Sequence, residues 1–157
     1  MPGSNYSSYP LPSPLSSRYS HVLVQNEIPL EQTIEALETA KKEGLTTVFN
    51  PSPIPGSGAV RTQVPWETVD WLVVNYDEAK SLADCFEGVS LSTDKRLERL
   101  AKFLSGAKGL VMTKGADGVE ALFRDEAGQP HKLTCPAGKP VSAIKDTTGA
   151  GDTFTVR

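Results

Sequence analysis

The chain has 157 residues, 38% of them hydrophobic and 22% charged, which is enough for one domain or part of one. Its 16 basic and 19 acidic residues give a net charge of −3 with no basic stripe, which argues against a nucleic-acid or anionic-membrane surface. The longest apolar stretch, residues 71–74, is far shorter than the roughly 18 residues that a membrane helix needs.

Residues 1–20 predict a disordered tail. They include seven Ser, four Pro and three Tyr, and Arg18 is their only charged residue. Such a composition buries too little apolar surface to offset the entropy of ordering the chain. The segment lacks the basic start and continuous apolar run of a secretory signal, and one Arg with several Pro would make a poor transit peptide.

The next segments alternate between strand and helix patterns. Residues 20–25 are short, apolar and β-branched, which is typical of a buried strand. Pro29 opens a helical pattern that ends at Gly44, and residues 46–49 predict a second strand that ends at Asn50. The Pro and Gly residues between positions 51 and 65 predict a long loop.

The pattern continues with a third strand at residues 71–74 and a helix at 75–83. Ser92 or Thr93 is expected to cap another helix, which ends at Gly106 before a fourth strand at 110–112. Residues 119–124 and 131–135 flank a turn and predict a β-hairpin. The whole predicts an α/β fold, with a mostly parallel sheet, flanking helices and a hairpin.

The sharpest motif is the segment 146–154, with the sequence DTTGAGDTF. The small residues at 149–151 would let backbone N–H groups approach an anion at the start of a helix. Asp152 fits such a turn if it takes a proton from a hydroxyl that attacks a phosphoryl group. An ordinary glycine-rich connection with an Asp cap is the alternative. The sequence holds no GxxxxGK[ST] loop, and Phe154 replaces the small residue of a dinucleotide fingerprint.

Residues 146–154 also resemble the C-terminal signature of the ribokinase-like (PfkB) carbohydrate kinases. Four other segments resemble motifs of that family in the same order: QNEIP at 25–29, NPSP at 50–53, NYDE at 75–78 and TKGADG at 113–118. Each motif alone is weak, but five in order, each at a predicted strand end, identify the chain as a member. Within the family the pattern is most similar to its ribokinase branch.

The resemblance implies a partial three-layer fold and ATP-dependent transfer of the γ-phosphoryl group to a sugar hydroxyl, for example on ribose. Asp152 would be the general base and contact the sugar, and Glu27 would hydrogen-bond a sugar hydroxyl. The backbone amides of three residues would form the anion hole: Gly149, Ala150 and Gly151. Four residues would contact the nucleotide: Asn75, Thr113, Gly115 and Gly118.

Metal ions also follow from the resemblance. Glu78 would hold Mg²⁺ through water, and Asp146 and Thr148 would belong to a loop that binds a monovalent cation such as K⁺. Structural alternatives stand beside these roles. Glu78 could be a solvated acid in a first helical turn, Asn75 a helix cap, and Glu27 an exposed loop acid. Residues 113–115 could be an ordinary exit from a strand.

Family members are considerably longer than this chain, and the resemblance runs from about residue 21 to residue 154. We therefore expect residues 21–157 to be the middle-to-C-terminal part of a kinase, without its lid and C-terminal end, and weakly active alone. A non-catalytic remnant that binds nucleotide weakly or pairs with another chain is the alternative. A nucleoside or another alcohol could replace the sugar.

Location and partners are predicted more coarsely. Cys85 and Cys135 form no CxxC pair, which favours a reducing compartment and hence the cytoplasm, with the nucleus as an alternative. His21 and His131 have no ligand-spaced partner and are expected to be structural or surface residues. No nucleic-acid or membrane partner is expected. The resemblance implies a homodimer in a complete family member, since such dimers often form through the lid.

Overall fold

A computed structural model describes residues 14–87, 95–139 and 146–155. Its helices and strands alternate along most of the chain, as the sequence predicts. The strands are β1 (His21–Gln25), β2 (Thr46–Asn50), β3 (Trp71–Asn75), β4 (Gly109–Thr113), β5 (Val119–Arg124) and β6 (Pro130–Cys135). The helices are α1 (Leu30–Lys42), α2 (Ser57–Thr62), α3 (Tyr76–Glu87), α4 (Arg96–Phe103) and α5 (Ala150–Thr155). Single 3₁₀ turns lie at Leu15–Ser17, Trp66–Thr68 and Gly115–Asp117.

The six strands form one sheet in the order β1-β2-β3-β4-β5-β6. Strands β1 to β4 are parallel, and β5 and β6 add an antiparallel hairpin at the β4 side. The predicted α/β fold with a mostly parallel sheet and a hairpin is therefore confirmed. Because β1 to β4 are parallel, their carboxyl ends meet at one edge of the sheet, where ligands bind in open α/β folds.

Helices α1 to α4 cover one face of the sheet. Right-handed crossovers between strands that follow each other in order place every connecting helix on the same side. The shared core joins helix residues Leu37, Val60, Leu82 and Leu97 to strand residues Phe49, Leu72, Val74 and Leu110. All eight side chains are 3% exposed or less, so this face is dry.

The opposite face, which we call the open face, carries apolar side chains without a helix layer over them in the described residues. Leu23 is 39% exposed and Leu133 is 56% exposed. Val48, Trp71 and Val111 on the same face are half-buried. Of the three layers implied by the resemblance, the described residues thus show the sheet and one full helical layer, with α5 at the carboxyl edge.

The N-terminal boundary differs from the prediction. Residues 15–17, assigned to the disordered tail, form a 3₁₀ turn, and Leu15 is buried against Ala40 and Leu45. The backbone N–H groups of Leu15 and Ser16 both donate to the Glu43 carboxylate. A terminal segment is ordered when tertiary contacts hold it, which composition alone does not reveal. Residues 1–13 lie outside the described residues.

The region predicted as one long loop contains α2. Gly56 and Gly58 act as breakers in the sequence, but Gly56 only precedes the helix and Gly58 lies in its first turn. Val60 of α2 is fully buried, and its carbonyl accepts a hydrogen bond from the Trp66 indole N–H at 2.6 Å. Tertiary packing therefore outweighs the local propensity here. The cap predicted at Ser92 or Thr93 lies outside the described residues.

No helix in the described ranges combines the length and apolar character that crossing a membrane requires.

A buried carboxylate ties α1, β2 and β3 together. Asp70 is 2% exposed and accepts hydrogen bonds from the Lys41 ammonium at 2.8 Å and the Thr47 backbone N–H at 3.0 Å. Lys108 lies 3.4 Å away. Burial opposes ionisation of Asp70, but the bonds from Lys41 and Thr47 and the two positive charges outweigh it. The pKa of Asp70 is therefore lowered from its ordinary value.

We expect Asp70→Ala to lower the free energy of unfolding by about 2–3 kcal/mol, because the buried Thr47 N–H loses its acceptor. Urea denaturation measures this difference. Since the folded-state pKa is lowered, the contribution of Asp70 is present above the unfolded value of 3.8 and is lost as the pH falls through the lower folded value. Lys41→Ala, whose side chain is 43% exposed, is the milder control. Equal stability of Asp70→Ala and the wild type at neutral pH would contradict this account.

Candidate functional site at the carboxyl edge of the sheet

The carboxyl ends of β2, β3 and β4 meet the start of α5 in a cavity at the carboxyl edge of the sheet, which we call the edge cavity. Its volume is about 200 Å³. Six of the predicted site residues line it: Asn75, Glu78, Thr113, Gly149, Gly151 and Asp152. Asn50, Ser52, Val73, Val74 and Thr155 complete the lining. The structure therefore brings the 75–78 and 146–154 motifs, far apart in sequence, to one place.

A second cavity, which we call the hairpin cavity, adjoins the first. It has a volume of about 410 Å³ and shares Thr113 and Gly151 with the edge cavity. The predicted residues Gly115, Gly118 and Ala150 line it. The other lining residues are Val119, Cys135, Pro136, Ala137, Gly138 and Phe154. An elongated ligand with a charged end and a flat apolar end could therefore occupy both cavities.

Asn75 and Glu78 form a reciprocal cap on α3. The Asn75 Oδ1 accepts hydrogen bonds from the N–H groups of Asp77 at 3.0 Å and Glu78 at 2.9 Å. The Glu78 Oε2 accepts one from the Asn75 N–H at 2.8 Å. The capping interpretation of Asn75 is thus confirmed. The cap uses neither Nδ2 of Asn75 nor Oε1 of Glu78, so both residues can cap the helix and contact a ligand.

The turn between β4 and β5 depends on Gly118, whose φ is +87° and ψ is −137°. A Cβ atom there would lie 2.0 Å from the Cys135 carbonyl oxygen, so the backbones of Gly118 and Cys135 are in direct contact. The Lys114 N–H donates to the Gly118 carbonyl at 2.7 Å. The Lys114 side chain pairs with Glu120 at 3.4 Å. This lysine therefore supports the hairpin and does not line either cavity.

The 146–155 segment begins with a turn closed by Asp146. Its Oδ1 accepts hydrogen bonds from the Thr148 N–H at 2.9 Å and hydroxyl at 2.8 Å, and these bonds lower the pKa of Asp146. Gly149 has a φ of +73°, which glycine adopts without strain. The Ala150 N–H donates to the Thr147 carbonyl at 3.2 Å, so an anion would compete with this long bond. Asp146 and Thr148 line neither cavity.

One contact to Asp152 is absent from the sequence predictions. The Gln25 Nε2 donates to the Asp152 Oδ1 at 2.7 Å, joining the end of β1 to α5 across 127 positions of sequence. Gln25 and Asn50 are polar residues at the carboxyl ends of neighbouring strands, a signal that could have drawn attention to both. Glu27 is exposed beyond β1 and lines neither cavity, so its contact with a sugar stays a prediction.

The edge cavity is acidic, because among the described residues that line it only Glu78 and Asp152 are charged. A phosphate group would enter it most easily together with a cation. Within residues 14–87, 95–139 and 146–155, no three His, Cys, Asp or Glu side chains group closely enough to hold a metal ion. This donor set fits Mg²⁺, which one carboxylate, water and substrate phosphates commonly hold together.

Comparisons with known proteins agree with these motifs. A family model described as pfkB family carbohydrate kinase matches residues 14–156. Staphylococcus aureus ribokinase is 33% identical over 135 residues, which are 85% of this chain and 40% of that protein. The structure of Thermotoga maritima ribokinase matches with a TM-score of 0.63 and 30% identity, over 86% of this chain and 40% of that one.

A third match is the structure of Arabidopsis thaliana ribokinase complexed with ribose and ATP, with a TM-score of 0.60 and 24% identity. It covers 87% of this chain and 40% of the Arabidopsis chain. The present chain thus spans about 40% of the length of these relatives.

Proposed function

Because this chain belongs to the pfkB family of carbohydrate kinases, we propose that it carries the phosphoryl-transfer edge of an ATP-dependent sugar kinase. Ribose is the first candidate substrate, since the relatives above are ribokinases and one was solved with ribose and ATP. The observation that carries the proposal is the edge cavity, where Asp152 meets Asn75, Glu78 and Thr113. A carboxylate beside phosphate-binding groups is the arrangement that phosphoryl transfer to a hydroxyl needs.

In this proposal Asp152 is the general base. Its Oδ1 is engaged by Gln25, which leaves Oδ2 to take the proton of the sugar hydroxyl. The hydroxyl oxygen forms a bond to the γ-phosphorus as the bond from that phosphorus to the β,γ-bridging oxygen breaks. The proton goes to Asp152 and the electron pair leaves with ADP.

The amides of Gly149, Ala150 and Gly151 are proposed to donate to the phosphoryl oxygens as negative charge accumulates on them. Ala150 must then exchange its bond to Thr147 for one to the anion. Residues 149–153 are exposed in this chain, and water weakens electrostatic stabilisation at an open site. We therefore expect the 157 residues alone to turn over slowly.

The nucleotide is proposed to lie across both cavities. The adenine base and the sugar of ATP would occupy the hairpin cavity against Gly115, Gly118 and Phe154. The phosphates of ATP would reach Asn75 and Thr113. Gly118 lets its backbone lie directly against the Cys135 backbone, and both residues line the hairpin cavity in which the ring would lie.

Two ions are included in the proposal. When bound, Mg²⁺ would neutralise phosphate charge, with Glu78 holding it through water. A monovalent cation such as K⁺ would sit by the turn of Asp146 and Thr148 and support the amides of the anion hole. One oxygen of Asp146 already accepts two bonds from Thr148, so its other oxygen and nearby carbonyls would face the ion.

We expect Glu78→Gln to raise the Mg²⁺ concentration needed for half-maximal ATP binding about tenfold, since the neutral amide removes a negative charge that attracts the ion. Glutamine can still accept the bond from the Asn75 N–H, so the helix cap is kept. Titration of ATP binding against Mg²⁺ measures the shift. Asp77→Asn removes an acid from the same turn outside the cavity and serves as the control. The same Mg²⁺ dependence in both variants would remove Glu78 from the metal site.

A second candidate function is non-catalytic, and the open face of the sheet favours it. Leu23 and Leu133 on that face would suit a chain that pairs with another polypeptide and binds nucleotide only weakly. A nucleoside or another alcohol as acceptor, a homodimer, and location in the cytoplasm or nucleus also stay predictions. Phosphoryl transfer to ribose by the protein separates the catalytic candidate from the non-catalytic one.

A further inference from the structure

We propose that Gln25 is a positioning residue for Asp152, and that the side chain of Asn50 sets the orientation of its amide. Together they form a hydrogen-bonded chain from the backbone of β3 to the carboxylate of α5. The proposal rests on the proposed role of Asp152 as the general base.

Three hydrogen bonds make up this chain. The Asn50 Nδ2 donates to the Val73 carbonyl at 2.8 Å. The Gln25 Nε2 donates to the Asn50 Oδ1 at 3.3 Å and to the Asp152 Oδ1 at 2.7 Å. Asn50 is 8% exposed, and Gln25 lies directly opposite it in the β1–β2 pairing. The pairing of β1 with β2 therefore holds the Gln25 and Asn50 side chains next to each other.

The direction of each amide follows from the backbone. A carbonyl oxygen can only accept, so Val73 requires the NH₂ group of Asn50 and turns its Oδ1 towards β1. That oxygen also only accepts, so it requires the NH₂ group of Gln25. The second N–H of the same group then points at Asp152. The reversed amide would set the Gln25 oxygen against two acceptors at once, which is unfavourable.

The consequence is that Asp152 is held through one defined oxygen. With Oδ1 fixed by a neutral donor, Oδ2 is the oxygen left to receive a proton, and the carboxylate cannot rotate freely. Small displacements of a catalytic group cost large factors in rate, up to about 100-fold for roughly 1 Å. Because Gln25 is uncharged, it can orient Asp152 without competing for the transferred proton as a basic side chain would.

The test compares two replacements of Gln25 in the protein as its own cells make it, tagged and purified. Glu has the shape of Gln but offers no donor at neutral pH and repels the carboxylate of Asp152. Leu removes the donor without adding a charge. We expect kcat for ribose to fall about tenfold in Gln25→Leu and about 100-fold in Gln25→Glu, with KM for ATP changed less than threefold. If Gln25 acted through packing alone, Gln25→Glu, which keeps the shape of the side chain, would retain more activity than Gln25→Leu. A kcat for Gln25→Glu equal to or above that of Gln25→Leu would therefore overturn the proposal.

A second measurement does not depend on turnover. We expect the side-chain amide resonances of Gln25, followed by ¹H–¹⁵N NMR, to move in Asp152→Ala and again in Asn50→Leu. Unchanged resonances in both variants would overturn the hydrogen-bonded chain. If instead the resonances move while Asp152→Asn leaves ribose phosphorylation intact, the contact stands and the proposed base does not. The two failures are therefore distinguishable.

Discussion

Asp152→Asn is expected to reduce phosphoryl transfer at least 100-fold, and up to about 10⁴-fold, while ATP binds within about threefold of its normal affinity. Asparagine keeps the shape of the side chain, and its Oδ1 can still accept the bond from Gln25, so α5 stays in place. Its NH₂ group cannot take the proton of a sugar hydroxyl. The expected effect therefore falls on kcat and not on the affinity for ATP.

This result is measured with the protein tagged and purified from its own cells, by steady-state kinetics with ribose and by calorimetric titration with ATP and Mg²⁺. Asp77→Asn is a suitable control, because Asp77 is an exposed acid close to the edge cavity that does not line it. Near-normal turnover in Asp152→Asn would remove Asp152 from the role of base.

Gly118→Ala is expected to have the second large effect, on both stability and nucleotide binding. A Cβ atom at this position would lie 2.0 Å from the Cys135 carbonyl oxygen and 2.8 Å from the Ala137 nitrogen, both of them backbone atoms. The positive φ of +87° adds strain for any residue with a side chain. We expect the free energy of unfolding to fall by about 3 kcal/mol and the affinity for ATP to fall at least tenfold.

Gly128→Ala, in the turn between β5 and β6, is a matched control for this change. Gly128 has a φ of +76°, but a Cβ atom there would meet nothing within 4 Å. Gly128→Ala is therefore expected to cost only about 1 kcal/mol and to leave ATP affinity unchanged. Thermal unfolding and ATP titration of the two variants make the comparison. Equal losses of ATP affinity in both would mean that the close approach at Gly118 does not shape the nucleotide groove.

Much of the sheet could be predicted because its strands have strong local patterns. Residues 71–74 are continuously apolar, and β3 forms there with one more residue, Asn75. The hairpin of β5 and β6 also lies where its turn signals place it. Helix α2 could not be predicted, because the surrounding Pro and Gly residues suggest a loop and the burial of Val60 depends on tertiary contacts. Leu15 is ordered for the same reason, through contacts with α1 and the turn after it.

The candidate site, like the fold, could be predicted from the sequence only in part. Resemblance placed Asn75, Glu78 and Asp152 in one site, and the parallel strands and α5 bring them to one cavity. Neither composition nor spacing could show that Gln25 reaches Asp152, because that distance depends on where α5 lies against the sheet. Glu27 lies outside both cavities in the described residues, so its contact with a sugar stays a prediction.

The most direct test of the central claim is ribose-dependent phosphoryl transfer from γ-labelled ATP, catalysed by the protein tagged and purified from its own cells. This preparation keeps any further polypeptide that completes the site. We predict labelled ribose phosphate with the wild type and at least 100-fold less with Asp152→Asn. Equal labelling by the two proteins, or no labelling although ATP and ribose both bind, would contradict the assignment of this edge of the sheet as a kinase active site.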